Sequence, residues 1–301
     1  MINFQKTLDF FYGVFISEKS RVRAERFILN LALISFVIHL ILIFLNYLGI
    51  TNFLSDAALL KNPISAIYTP FSFILIYEVY MLIFYLPKSF TNYVTKQYEI
   101  ITLIIVRRLF KDLAALEISS NWFAIKEDLV FTYDLVASLV LFFLIFLFQK
   151  YGRQKYEIEE DMTDRVQRFI TKKKIIAVIL VPLFIIMATY TLVDWGMDIS
   201  LKNEELPSFE SINNLFFDHF FTVLILVDVL LLLFSFFYTD QFHKIIRNSG
   251  FIISTILIRI SFGVTGLINT ALIVSAVLFG LLIILIHNRY EKNLSAEQLK
   301  E

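Results

Sequence analysis

Several ionisable residues lie inside the apolar segments of this sequence, and four of them form two similarly spaced acid–arginine pairs. Glu78 and Asp228 each lie near the middle of a long apolar run, and each is followed about thirty residues later by an arginine, Arg107 or Arg259. An ionisable group at the centre of a bilayer costs about 2.5–3.5 kcal/mol even on the insertion scale, so such groups pair or face water. A carboxylate beside a guanidinium can bind and release a proton, or exchange its partner for an incoming ion. We therefore expect these residues to mark an ion path or a set of structural ion pairs.

The positions of these charges along their helices predict which of them meet. With a rise of about 1.5 Å per residue and a hydrocarbon core about 30 Å thick, Glu78 comes level with Arg107. Asp228 comes level with Arg259 in the same way. The next acid and base along the first half, Asp134 and Lys111, also share a depth. The sequence thus predicts three acid–base layers.

Arg108 is left over by this arrangement. Its counterpart in the second half of the chain is Ile260, so the sequence predicts an unpaired guanidinium in the first half. Such a charge favours a hydrated cavity there. The alternative is that every layer only neutralises charge and holds helices in register, as buried pairs do in proteins that transport nothing.

The elements that must position these residues are membrane-spanning helices. The chain is 58% hydrophobic, its mean hydropathy is +0.72, and its apolar runs are about twenty residues long. We predict an all-α polytopic integral membrane protein with about eight transmembrane helices. The predicted spans are 27–48, 67–87, 99–116, 129–149, 174–193, 214–237, 250–264 and 267–286. The third and seventh could instead be half-spans or tilted interfacial helices.

The two halves of the chain resemble each other. The run IITLIIVR at Ile100–Arg107 matches IISTILIR at Ile252–Arg259, and LVASLVLF at Leu135–Phe142 matches LIVSAVLF at Leu272–Phe279. The matches keep the same order, which predicts two parallel four-helix repeats, 26–149 and 174–288, related by an axis along the membrane normal.

Basic residues predict the orientation. Twenty Lys and Arg lie on one set of connecting segments and termini, whereas the opposite loops hold only Lys61, Lys126 and Lys202. We expect the protein in the inner (cytoplasmic) membrane. The positive-inside rule then predicts that both termini lie in the cytoplasm. Residues 1–25 form a cytoplasmic interfacial amphipathic segment, either an anchor or a lipid sensor. Residues 150–173 form a charged cytoplasmic linker helix, and 289–301 form a cytoplasmic tail.

Several classes of function are disfavoured by composition. There is no cysteine, which excludes disulfides and thiolate chemistry. The formal net charge is zero, which gives no electrostatic reason to bind nucleic acid. The chain has no HExxH, no Gly-rich phosphate loop and no nucleophile elbow, so we expect no enzyme, with a lipid-acting enzyme as the remaining alternative. The four histidines are scattered along the sequence, so we expect no metal site and no cofactor.

The resulting hypothesis is a channel or transporter for a small ion or proton that uses intramembrane acid–arginine pairs. The alternative is a scaffold or regulatory subunit that transports nothing and whose ion pairs are structural. The expected partners of the protein are the lipid bilayer and either a second copy of the chain or a soluble cytoplasmic protein that docks on 150–173. Alternatively, 150–173 serves only as a brace between the two repeats.

Overall fold

All regular structure in the described part of the chain is helical. The computed structural model describes residues 2–49, 63–115, 126–153, 164–201, 209–238, 240–264 and 266–298. Its helices are α1 Ile2–Phe15, α2 Glu18–Tyr47, a 3-10 turn Pro63–Ile67, α3 Tyr68–Tyr85, α4 Phe90–Ala115, α5 Lys126–Gly152, α6 Asp164–Leu201, α7 Phe209–Tyr238, α8 Phe242–Ser261 and α9 Leu267–Gln298. The prediction of an all-α fold is confirmed.

Five segments of this structure are long and apolar enough to cross a membrane, as in a multi-pass membrane protein. They are Gln5–Tyr47, Asp128–Gly152, Val166–Thr191, His219–Tyr238 and Leu267–Leu294. A sixth apolar helical stretch, Thr69–Tyr85, is shorter. The helices α4 and α8 are too polar to qualify. The described residues contain eight long helices, α2 to α9, but only five crossing segments by length and composition, so the predicted count of about eight transmembrane helices stays a prediction.

The helices α4 and α8 are nevertheless long. They contain 26 and 20 residues, which at about 1.5 Å per residue gives about 39 and 30 Å. The predicted span at 99–116 begins earlier in the structure, at Phe90, and the one at 250–264 begins at Phe242. Neither helix has the length of a half-span.

The helix α8 buries polar side chains together with apolar ones, and the side chains that it exposes are apolar. The residues that it buries include Asn248, Ser254, Thr255 and Arg259. The residues that it exposes include Ile246, Ile253, Leu257 and Ile260. A helix on the surface of a water-soluble protein has the opposite arrangement. The outer face of α8 is suited to lipid.

The helices α8 and α9 form an antiparallel hairpin. Gly266 has a φ of 72°, a left-handed conformation that glycine adopts without the steric cost of a Cβ atom. Asn269 Nδ2 then donates to the carbonyl of Ser261 at 2.6 Å, which ties the start of α9 to the end of α8. Residues equally far from this turn therefore lie beside each other.

Aromatic rings from α4, α5 and α8 pack together in the core, and α9 passes close to one of them. Tyr98 of α4 meets Phe148 of α5 edge to face at 5.0 Å, and Phe148 meets Phe251 of α8 at 5.4 Å. Gly280 of α9 leaves room for the Tyr98 hydroxyl, because a Cβ there would lie 1.9 Å from Tyr98 Oη. Across the two halves of the chain, α4 contacts α8 and α5 contacts α9.

The described parts of the two predicted cytoplasmic segments belong to more than one helix each. Residues 1–25 are not one helix: α1 ends at Phe15, and α2 begins at Glu18 after Ser17, whose hydroxyl accepts the Ser20 N–H at 3.2 Å. The linker 150–173 is not one separate helix in its described part, because α5 extends to Gly152 and α6 begins at Asp164. Its middle, 154–163, lies outside the described residues.

We call the end of the bundle at which α4 and α8 begin the basal end. The helices α5 and α9 end there, and Asn288 Nδ2 of α9 donates to the carbonyl of Tyr151 in α5 at 2.8 Å. The start of α6 is at the same end, since Lys173 Nζ donates to the carbonyl of Lys88 in the turn between α3 and α4.

Candidate functional site

The structure brings Asp228 of α7 and Arg259 of α8 together inside the bundle. Arg259 Nη2 lies 2.9 Å from Asp228 Oδ2, and the two side chains are 4% and 0% exposed. Asp228 has a second partner on α4, because Tyr93 Oη donates to Asp228 Oδ1 at 2.7 Å. The sequence anticipated the charged pair but not the tyrosine.

A glutamine one turn after Tyr93 completes this group. Arg259 Nη2 donates to Gln97 Oε1 at 2.8 Å. The side chain of Gln97 also interacts with Asp228, and Arg259 Nη1 is a hydrogen-bond donor that is buried without a partner among the described residues. We call Tyr93, Gln97, Asp228 and Arg259 the central cluster.

A small cavity adjoins the central cluster. Its volume is about 10 Å³, close to the minimum of about 10–15 Å³ that one water molecule needs. Its lining comes from α3, α4, α7 and α8: Leu82, Gln97, Ile100, Ile101, Phe221, Thr255, Ile258 and Arg259. Buried donors beside a space of this size are the usual setting for an internal water.

Glu78 of α3 is buried but is not joined to an arginine by contact among the described residues. It is 7% exposed and interacts electrostatically with Arg107 and Lys96. In the described part of the chain it makes no ion pair within 4 Å. On α3, Leu82 follows Glu78 by one turn and therefore lies on the same face. Since Leu82 lines the cavity, Glu78 lies one turn from it.

The prediction that Arg108 has no partner is wrong. Its guanidinium binds Asp134 of α5 through two nitrogens, one of them, Nη2, at 2.8 Å from Oδ1. It also donates to Asn269 Oδ1 at 2.8 Å and lies 3.4 Å from Thr270 Oγ1, both on α9. Thr270 Oγ1 in turn donates to Asp134 Oδ1 at 2.6 Å. The depth comparison missed this because the partners of Arg108 come from the other half of the chain as well.

Asp134 is paired with Arg108 in the structure. The sequence paired it with Lys111, whose side chain lies outside the described residues, so that pairing stays a prediction. These two bases are three residues apart on one helix, about 4.5 Å along its axis. Comparing residue positions along two helices predicts depth only to within about one turn, so it cannot distinguish Arg108 from Lys111 as the partner of Asp134.

A polar cavity opens at the basal end between α4 and α5. Its volume is about 160 Å³, and its lining includes Tyr85, Lys96, Glu99, Gln149 and Arg153. Lys96 Nζ pairs with Glu99 Oε2, and Gln149 Nε2 donates to Glu99 Oε1 at 2.7 Å. Lys96 is also the residue through which this cavity is electrostatically linked to Glu78.

The sequence reading missed a histidine cluster. His243 of α8 and His287 and Glu291 of α9 place one potential metal ligand atom each within 4.8 Å of one another. His243 is far from the other two residues in sequence, but His243 and His287 lie equally far from the turn of the hairpin. Two features of the sequence could have predicted this cluster. The spacing of four residues between His287 and Glu291 puts both on one helix face, and an antiparallel pairing of α8 and α9 brings His243 beside them.

Comparison with known proteins adds no relative. No protein-family model matches the chain, and neither a curated protein nor a solved structure is similar to it.

Proposed function

We propose that this protein conducts protons, or couples proton movement to transport, across a membrane. One observation carries the proposal: two buried acids are each connected to a residue that lines a water-sized cavity between α3, α4, α7 and α8. Asp228 is paired with Arg259, and Glu78 lies one helical turn from Leu82. Ionisable groups at this depth are rare in proteins that do not use them. In this proposal the chain performs no covalent catalysis.

The size of the cavity favours a proton over a larger ion. A space of about 10 Å³ admits one water at most. A proton needs only a chain of titratable groups and water to move, whereas an alkali cation or a halide needs a path wide enough for itself.

The proposed route begins at the basal cavity. Lys96 links that cavity to Glu78 electrostatically. Glu78 exchanges its proton with water in the small cavity, and Gln97 and Arg259 orient that water through their N–H groups. Asp228 receives the proton in the next step, when its contact with Arg259 loosens.

The proposed topology is the one that the sequence predicts. Eight helices, α2 to α9, cross the inner membrane as two parallel four-helix repeats, with both termini in the cytoplasm and the basal end facing it. The contacts of α4 with α8 and of α5 with α9 support this, since these are equivalent helices of the two repeats.

Proton flux into vesicles tests the proposal. Purified protein is reconstituted into liposomes that contain a pH-sensitive dye, and a potassium gradient with valinomycin drives proton entry. We expect faster pH change than in empty liposomes, and a strong reduction by Glu78→Gln. The double variant Asp228→Asn with Arg259→Gln should also reduce the flux; it removes both charges together, so no buried charge is left alone.

The matched control is a second buried acid–arginine pair. Asp134→Asn with Arg108→Gln removes one negative and one positive charge in the same way, but the structure places this pair on neither cavity. Size-exclusion chromatography first shows that this variant and the unaltered protein are both folded. The proton flux of the variant should then stay near that of the unaltered protein. No flux above empty liposomes for folded protein would overturn the proposal.

A structural scaffold is the second candidate function. It is favoured by Arg108, which binds Asp134, Asn269 and Thr270 and so fastens α4, α5 and α9 to one another. A scaffold of this kind has a second copy or a soluble protein as its partner, with 150–173 as the docking segment. Absent flux together with strong destabilisation by Arg108→Gln would support this function instead.

A further inference from the structure

We propose that His243, His287 and Glu291 form a binding site for a divalent transition-metal ion, with Zn²⁺ as the reference ion, at the basal end of the α8–α9 hairpin. This site is separate from the proposed proton route, since none of its three residues lines either cavity. Two imidazoles and one carboxylate are a ligand set that zinc accepts, with a fourth position left for water.

The distances fit a metal site. His243 Nε2 lies 3.2 Å from Glu291 Oε1, and His287 Nε2 lies 3.4 Å from the same oxygen. In a tetrahedral zinc site with bonds of about 2.0–2.2 Å, neighbouring ligand atoms are separated by about 3.3–3.5 Å. The two imidazole rings are stacked, with centroids 5.3 Å apart and an angle of 22° between their planes. The three ligand atoms all lie within 4.8 Å of one another, so rotations of the side chains would have to shorten only the distance between the two histidine nitrogens.

The hydrogen bonds show that a cation is already held at this place. Arg247 Nη1 lies 2.9 Å from His287 Nε2. A guanidinium can only donate, so Nε2 of this neutral imidazole must be the acceptor and carries a lone pair. Glu291 Oε1, 3.4 Å away, is a second acceptor facing the same space. This oxygen accepts from His243 Nε2 at 3.2 Å, because a carboxylate can only accept. The hydrogen atoms of Arg247 and His243 therefore occupy the lone pairs that a metal ion would use.

Arg247 is therefore a competitor of the metal ion. In the metal-free protein its guanidinium occupies the lone pair of His287 that a metal would take. Metal binding requires Arg247 to turn away and the Nε2 atom of His243 to be unprotonated, with its proton on Nδ1. All three ligands come from the ends of α8 and α9, so a bound ion would fasten the open end of the hairpin.

Metal titration of the full-length protein tests the proposal. The protein carries no polyhistidine tag, is stripped with EDTA and desalted in detergent, and is titrated with Zn²⁺ alone. We expect one ion per chain, lost in the double variant His243→Ala with His287→Ala and kept in His219→Ala, which alters an exposed histidine of α7. Arg247→Gln should tighten binding by about tenfold or more, the scale on which groups around a metal alter affinity.

A second measurement covers variants that fail to fold. The unaltered protein and Arg247→Gln are titrated with Co²⁺, whose visible absorption identifies tetrahedral coordination by nitrogen and oxygen. No zinc uptake and no cobalt spectrum in either protein would overturn the proposal and would identify the cluster as a hydrogen-bonded brace. Uptake that the folded variant Glu291→Gln and the double histidine variant leave unchanged would overturn it as well, because the ion would then be bound elsewhere.

Discussion

Asp228 has one charged partner and one neutral partner, and substitutions can measure the contribution of each to stability separately. Arg259 supplies charge, while Tyr93 supplies a single hydrogen bond from a neighbouring helix. In an interior from which water is excluded, each of these contacts is stronger than in water, so its loss lowers the free energy of unfolding by more.

Tyr93→Phe should destabilise the protein more than Tyr98→Phe. The first removes a hydrogen bond to a carboxylate, worth about 1.5–3 kcal/mol, and the second removes a bond between two hydroxyls, worth about 0.5–1.5 kcal/mol. Both tyrosines are fully buried on α4. The control is well matched because Ser254 Oγ, the partner of Tyr98, still donates to the carbonyl of Ala276. Unfolding by denaturant in detergent measures the difference; equal losses would contradict a charged Asp228.

Asp228→Asn and Arg259→Gln should each lower stability strongly, and their combination should restore part of it. Removing one partner of a buried pair costs about 3–5 kcal/mol because the other charge is left alone, whereas removing both can be nearly neutral. Folded yield and unfolding midpoints of the three variants form a double-mutant cycle. Strictly additive losses would mean that the two side chains do not act as a pair.

The sequence predicted some of these residue contacts and missed others for identifiable reasons. Asp228 and Arg259 could be matched because each is the one charge near the middle of its segment. Arg108 could not, because its neighbours Arg107 and Lys111 lie at nearly the same depth and because Asn269 and Thr270 carry no charge to mark them. The tyrosine and glutamine of the central cluster were also missed, since neutral polar residues are common in membrane helices.

At the scale of the helices, Gly280 has a specific steric role. It is the position at which α9 passes the hydroxyl of Tyr98, and Ser254 Oγ of α8 is also close, at 3.2 Å from a Cβ placed there. The contact between α4 and the hairpin therefore depends on a hydrogen atom in place of a side chain.

Gly280→Ala should destabilise the protein by about 1–3 kcal/mol, as overpacking of a buried site does. Gly13→Ala is the control, because nothing lies within 4 Å of a Cβ at that position in α1 and alanine is the better helix former. Adding Tyr98→Phe should relieve part of the damage, since the atom in closest conflict is the tyrosine hydroxyl. Thermal unfolding in detergent gives the comparison, and an unaffected Gly280→Ala protein would show that α4 and α9 are farther apart than described.

For the whole molecule, the crossing of α8 decides between the proposed topology and its alternatives. The chain has no native cysteine, so single introduced cysteines report position cleanly. Val264 and Gln241 are exposed residues at opposite ends of α8, and Asn293 is exposed near the end of α9.

Val264→Cys should react with a membrane-impermeant maleimide in intact cells, and Gln241→Cys should react only after the membrane is opened. Asn293→Cys serves as the reference for the basal side, because α9 is apolar enough to cross on its own. Labelling of Val264→Cys and Gln241→Cys from the same side would show that α8 does not cross, and the parallel arrangement of the two repeats would then be wrong.

Most helix positions could be predicted from the sequence, because twenty-residue apolar runs form helices in lipid with few alternatives. The helix ends could not. The start of α4 at Phe90 lies in a polar stretch that hydropathy excludes, and the break between α1 and α2 depends on the single hydroxyl of Ser17. The packing of α4 on α8 depends on side-chain contacts that periodicity does not encode.

The inverted polarity of α8 has a consequence for biogenesis. On leaving the translocon alone, this helix would bring Arg259, in its last turn, and its buried hydroxyls into contact with lipid. An arginine costs about 2.5–3.5 kcal/mol at a helix centre and less towards a helix end. The helix α9 follows after a short turn and is strongly apolar. Under the proposed topology, α8 therefore enters the bilayer as half of a hairpin whose second half supplies the driving force. Asp228, synthesised earlier on α7, is already in place to receive the arginine, so the order of synthesis itself protects the charge.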